Sequence, residues 1–205
     1  MRKARKPLCL LLCAVLLLSM SAAALGANNN YSSWFQTNYD EINKLGLMPA
    51  SFNGLDLTKN ITRGEMCELA VYAFEKATGN DIDMSNETFT GFTDTSNENI
   101  VKAHLYGIVN GYEDGTYKPT KAINRQEMAK VLYGYDKVGG KNAEGITEKL
   151  TYTDVNAIGE WAIESVTYCT AAGYLAGSNG AFNPTGTATR AMGAKVLMNM
   201  TKEAA

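Results

Sequence analysis

Ile61-Thr62-Arg63-Gly64-Glu65 returns as Ile123-Asn124-Arg125-Gln126-Glu127 and, altered at its end, as Ala188-Thr189-Arg190-Ala191-Met192. The three arginines are 62 and 65 residues apart. Recurrence on that scale marks stacked supersecondary units, none of which can bury its apolar face alone. Other residues keep step with the arginine. A glycine precedes it by 17 or 18 residues (Gly46, Gly107, Gly173), and a turn pair lies between them: Asn53-Gly54, Asp114-Gly115 and Asn179-Gly180. The second and third copies add Gly111 and Gly177, then Tyr117 with Pro119 and Phe182 with Pro184. Upstream, Trp34 and Trp161 each stand 12 residues before their glycine, while Thr95 holds that place in the middle copy.

Each copy reads as helix, loop, helix. Thr62 and Glu65 have capping-box spacing, as do Asn124 and Glu127; Thr189 keeps the cap while Met192 loses the reciprocal glutamate. Apolar stripes follow at helical spacing: Met66, Leu69, Ala70, Ala73; Met128, Val131, Leu132, Tyr135; Val196, Leu197, Met200. The first helix of the third copy places Trp161, Val166, Cys169 and Ala172 on one stripe; that of the second places Ile100, Ala103 and His104. Gly107 and Gly173 end these runs as left-handed caps. A short β-like contact is allowed around Tyr117 or Phe182, but no sheet is indicated. The expected class is therefore all-α. The copies occupy residues 28–79, 88–140 and 148–205, with linker-like composition around 77–91 and 136–150.

An arginine in the first turn of a helix is locally unfavourable, by about 0.3–1 kcal/mol when exposed. Its recurrence at Arg63, Arg125 and Arg190 asks for a reason. One reading pairs it with an acidic neighbour, Glu65, Glu127, Asp94 or Asp154. The other makes an anion site from the guanidinium and the helix-start amides, suited to a carboxylate or phosphate. Trp34 and Trp161 offer flat faces to a sugar ring or pack in the core. Gly107, Gly111, Gly173 and Gly177 either let a ligand approach the backbone or serve as caps and tight turns.

Composition limits the function classes. The chain has 205 residues, 45% hydrophobic and 20% charged, which is ordinary globular usage. A formal charge of −2 advertises no nucleic-acid surface. The lone histidine, His104, excludes a multi-histidine metal centre and reads as a packed helix residue. No cofactor motif is present. Residues 1–27 run from basic (Arg2, Lys3, Arg5, Lys6) through apolar (Leu8 to Leu18) to small, the order of a secretory signal peptide. A cut after Ala27 leaves 15 basic against 21 acidic residues and removes Cys9 and Cys13. Cys67 and Cys169 then remain, and both read as buried free thiols. No later segment is apolar enough to span a membrane, so an exported chain without a span in its mature part is expected.

Phe92-Thr93-Asp94, Gly107 to Gly111, Asp114-Gly115-Thr116-Tyr117, Pro119 and the Arg125 segment together resemble the S-layer homology (SLH) motif. Tyr152-Thr153-Asp154, Trp161-Ala162, Gly173 to Gly177, Phe182, Pro184 and Thr189-Arg190-Ala191 are similar to a second motif, and Trp34-Phe35, Gly46 and the Arg63 segment to a third, more worn one. The resemblance implies a pseudo-threefold bundle with grooves between motifs. It implies non-covalent anchoring of a secreted protein to the bacterial cell wall or S-layer. The ligand would be a pyruvylated secondary cell-wall polysaccharide or modified peptidoglycan, with other envelope proteins as further candidate partners. It also implies ligand-binding roles for Arg63, Arg125 and Arg190, and no enzymatic activity. The departures are Ala50 for the second glycine, Asn124 for threonine and Met192 for glutamate. The second copy's loop is the best kept, which favours Arg125 with its flanking loops. The competing expectation is a structural or protein-binding bundle whose arginines serve internal ion pairs. Glycan hydrolysis is disfavoured, because Glu65 and Glu127 already have a role as caps.

Overall fold

The computed structural model describes residues 30–85, 88–89 and 91–203. The signal-peptide reading of residues 1–27 lies outside them. The described residues form an all-α fold of six α-helices and no strand: α1 (Gln36–Lys44), α2 (Arg63–Thr78), α3 (Glu98–Leu105), α4 (Arg125–Val138), α5 (Ile163–Ala171) and α6 (Arg190–Glu203). Each copy contributes a short helix and a long one.

The sequence sets the long helices at both ends. Thr62 and Asn124 accept the amides of Glu65 and Glu127, and those glutamates accept the Thr62 and Asn124 amides in return. Gly79 takes the left-handed conformation that closes α2. The predicted stripes of α2, α4 and α6 are buried. On the short helices the stripe needs correction. Val166 and Cys169 are buried as expected, but Trp161 lies in a 3-10 turn (Glu160–Ala162) ahead of α5 and stands exposed, as does Ala172. Ala162, beside the tryptophan, takes the inward position. Helix α4 also runs to Val138, into the stretch read as linker, where buried Asp136 accepts the Tyr168 and Tyr174 hydroxyls.

The copies close on one another as a ring. Short helix α3 packs on α2, α5 on α4 and α1 on α6, so each rests on the long helix of the preceding copy. Long helix α2 packs on both α4 and α6. The first two amides of each long helix donate to loop carbonyls of the following copy. Arg63 and Gly64 bond Lys121 and Pro119; Arg125 and Gln126 bond Gly186 and Pro184; Arg190 and Ala191 bond Lys59 and Leu57. All six distances lie between 2.9 and 3.1 Å, and the register is the same at each junction. Isolated antiparallel bridges mark the junctions: Thr62 with Ala122, Asn124 with Thr187, and Asn60 with Thr189. The β-like contacts therefore gather just before the long helices. Nearer the anticipated position Ser178 and Ala181 pair, immediately ahead of Phe182.

An aspartate fixes each later loop. Asp94 accepts the amides of Tyr117 and Lys118, both at 2.8 Å, and Asp154 those of Phe182 and Asn183, both at 2.7 Å. These bonds, first that of the aromatic residue, hold both carboxyls below their ordinary pKa. They also hold Lys118 and Asn183 in the left-handed region, at φ of 58° and 57°. Tyr117 and Phe182 thereby face the core, where both are almost wholly buried. Cys67 and Cys169 are buried free thiols. Burial pushes the Cys67 thiol up to about 12, and that of Cys169 upward as well.

Candidate functional site

The three arginines meet three different environments, each built by the loop of the following copy. Arg63 donates Nε to the Tyr117 carbonyl at 2.8 Å, and its guanidinium lies over the Tyr112 and Tyr117 rings. Glu127 Oε1 is 3.6 Å from Nη1. That carboxylate is itself crowded, accepting Lys121 Nζ and the Tyr112 hydroxyl, each at 2.8 Å. Burial alone would raise the Glu127 carboxyl. The Asn124 amide, Lys121, Tyr112 and Arg63 outweigh it and hold the group below its ordinary value.

Arg190 is clamped. Its Nε and Nη2 engage Glu65, the latter at 2.8 Å, and Nη1 donates to the Asp56 carbonyl at 2.9 Å. Arg125 differs from both. It donates Nε to the Phe182 carbonyl at 2.8 Å and Nη2 to the Ala176 carbonyl at 2.7 Å, and its guanidinium lies over the Phe182 ring. Among the described residues no carboxylate lies within ion-pairing distance of it, and Nη1 makes no hydrogen bond. Burial lowers its pKa from the ordinary arginine value, against the pull of Tyr152 and Asp154.

The cause is one substitution. The third residue of a long helix faces the arginine of the preceding copy. That residue is Glu127 for Arg63 and Glu65 for Arg190; for Arg125 it is Met192. Internal pairing and an open guanidinium were alternatives from the sequence, and the molecule contains both. Asp94 and Asp154, the other proposed partners, are engaged by loop amides instead. The anion site built from helix-start amides is overturned: the first two amides of each long helix bond the neighbouring loop, and the third bonds its cap. A ligand anion has only the guanidinium side to meet.

Two grooves flank these arginines. One, of about 580 Å³, is lined by Arg63, Gly111, Tyr112, Glu113, Asp114, Glu127, Lys130 and Trp161. The other, of about 470 Å³, is lined by Arg125, Gly173, Ala176, Met192, Lys195 and Trp34, among others. Each draws on all three copies, with the tryptophan coming from the copy that supplies neither arginine nor loop. The expectation that Arg125 works with the second copy's loop is therefore corrected: that loop serves Arg63, and Arg125 faces the third copy's loop. Trp34 and Trp161 are 48% and 53% exposed, which removes the core-packing alternative for both indoles. Trp161 lies against Gly159, where a Cβ would sit 2.5 Å from Nε1. The buried Gln126 accepts the Gly159 amide and fixes that turn.

The glycines divide. Gly107 and Gly173 have φ of 76° and 73° with open space beside them, as caps require. Gly111 and Gly177 are pressed by the Phe92 and Tyr152 rings, at 2.3 and 2.4 Å from an added Cβ. Those two positions let the aromatic ring of the upstream copy segment cross the loop. Sequence reasoning missed Tyr112, Glu113, Lys130 and Lys195. A signal for the lysines existed: both stand five residues after their arginine, where the first copy has Glu68. His104 packs between Phe89 and Phe92 rings, with Nδ1 3.3 Å from the Val109 carbonyl.

Among the described residues no cluster of His, Cys, Asp or Glu is arranged to hold a metal, and no helix is long and apolar enough to cross a membrane. Residues 92–129 and 151–191 match the S-layer homology domain family. The chain is 32% identical over 139 residues to cell surface glycoprotein 1 of Acetivibrio thermocellus, covering 62% of this chain and 6% of that protein. It is 32% identical over 127 residues to the cellulosome-anchoring protein of the same organism, covering 58% of this chain and 26% of that protein. The chain thus spans a minor part of these relatives.

Proposed function

We propose that the chain is a non-catalytic anchoring module of the bacterial cell surface, and that it holds an anionic wall glycan through the groove beside Arg125. The observation that carries the reading is the guanidinium left without a carboxylate by Met192. A half-buried arginine with one open edge favours a carboxylate ligand, since charge-assisted bonds to guanidinium are roughly twice as strong as neutral ones. Lys195 adds a second positive charge, its ammonium 5.5 Å from the Trp34 ring centre, and no acidic side chain lines this groove. Trp34 supplies the apolar face. A sugar bearing a carboxylate, such as a pyruvate ketal on a secondary wall polysaccharide or a modified peptidoglycan unit, satisfies all three features. The likeness to surface and cellulosome-anchoring proteins supports the same role, and the segment over 28–79 is read as a third, diverged S-layer homology unit. Secretion through the segment 1–27 belongs to this reading.

Co-sedimentation with purified wall sacculi tests it. Arg125→Ala is expected to lose binding while keeping its helical spectrum and a single cooperative melt, lowered by no more than a few degrees. Retained binding by a folded Arg125→Ala would overturn the assignment. The competing reading, a bundle whose arginines only hold copies together, fits the surroundings of Arg190. It becomes the better account of the whole chain if no arginine variant changes wall binding.

A further inference from the structure

The two grooves differ in charge, not only in size. The Arg125 groove carries Arg125 and Lys195 with no acidic side chain in its lining. The Arg63 groove carries Arg63 and Lys130 against Glu113, Asp114 and Glu127. Arg63 is also withdrawn from solvent, only 7% exposed, covered by Tyr112 and matched by Glu127. The charges here are largely matched already, Arg63 by Glu127 and Asp114 by Lys118, with one further charge of each sign, Glu113 and Lys130, so an entering carboxylate gains no net attraction. What the groove does present is an aromatic wall with polar groups at its edge. Trp161 lies flat over Gly159 with half its surface open, and Tyr112 stands among the same lining residues. Its volume of about 580 Å³ falls within the usual range for small-molecule sites, about 300–1,000 Å³.

From this contrast we infer that the Arg63 groove is a second glycan subsite that takes an uncharged sugar ring, stacked on Trp161, its hydroxyls donating to Glu113, since Asp114 is already engaged by Thr116 and Lys118. The inference rests on the wall-glycan reading above. It assigns the two grooves different sugars of a wall polymer: one ring recognised by its carboxylate, the other by its apolar face and hydroxyls.

The chain's two tryptophans stand one in each groove, so each reports one site. Trp34→Phe leaves Trp161 as the only indole, and Trp161→Phe leaves Trp34. Both full-length variants are titrated, by indole emission, with purified wall polysaccharide and with the same polymer after carbodiimide coupling of its carboxylates to methylamine. The Trp161 signal is expected to give midpoints within about threefold for the two polymers, and the Trp34 signal to weaken about tenfold with the amidated one. A Trp161 response that weakens on amidation as Trp34 does, or that is absent with both polymers, overturns the inference. If Trp161 answers both polymers while Trp34 answers neither, the inference stands and the Arg125 assignment falls. If Trp34 answers only the native polymer while Trp161 stays silent, the reverse holds. As a second measure, Glu113→Lys in the Trp34→Phe background is expected to weaken the amidated polymer about fivefold through loss of a charged acceptor. An unchanged midpoint removes Glu113 from the subsite and overturns the proposed contacts.

Discussion

At the start of α4, Arg125 gives two donors to loop carbonyls and keeps an open edge; at the start of α6, Arg190 gives three nitrogens to Glu65 and the Asp56 carbonyl and keeps none. The backbone around the two is the same, down to the carbonyls that receive the first two helix amides. Three of the side-chain differences in their surroundings bear on the guanidinium's open edge. Met192 faces Arg125 where Glu65 faces Arg190; Lys195 follows where the third junction has Glu68, bonded to Ser51; and Trp34 adjoins the groove where the middle copy offers Thr95. One scaffold thus either fastens an arginine or leaves it with an open edge, and the choice is made by residues on another copy.

Removing each arginine should separate the two roles. Arg190→Ala leaves Glu65 poorly solvated without its cation and is expected to cost about 3 kcal/mol of stability with wall binding intact. Arg125→Ala should cost less than half of that in a urea titration while weakening glycan binding by roughly 2–3 kcal/mol. Similar stability losses in the two variants would erase the distinction. Next, Met192→Glu restores the missing carboxylate. It should weaken glycan binding about tenfold, as Arg125 becomes paired. It should also raise stability by about 0.5–1 kcal/mol, as a capping box forms with Thr189. An unchanged affinity would show that the open edge of Arg125 is not what binds.

Acid sharpens the contrast between the Arg63 and Arg125 junctions. The folded Glu127 pKa lies below its ordinary value, so its contribution is complete above the unfolded carboxylate pKa of about 4.3 and disappears as pH falls through the folded value. The stability gap between the native chain and Glu127→Gln should therefore narrow between neutral pH and pH 3. A constant gap would remove the ionised carboxylate as its source. The smallest effect is expected at the third junction. Glu68→Lys supplies the lysine of the other grooves but leaves Arg190 clamped, so stability should shift by no more than about 0.5 kcal/mol and wall binding not at all.

Much of this was legible in the sequence because it depends on local rules. The capping boxes at Thr62 and Asn124, the apolar stripes of the long helices and the glycine caps are set within a few residues, and the structure keeps them. The arginines were visible as a recurring oddity. Their partners were not, because the pairing runs from one copy to the next, across 125 residues for Arg190 and Glu65. Glu65 and Glu127 looked fully explained as caps, and that explanation concealed their second contact. Trp161 misled the helical stripe because the chain winds a 3-10 turn there and carries the indole outward. The departure at Met192 read as decay of the motif, yet it is the change that leaves Arg125 open.

Every groove described above needs side chains from all three copies, including one tryptophan from the copy opposite. A ribosome delivers those copies in order, so a chain halted after the second holds Arg63, Tyr112 and Trp34 but no finished receptor. On the proposed reading, glycan recognition is acquired only once the third copy has packed onto the first. Ligand affinity would then double as a check that all three copies have packed together.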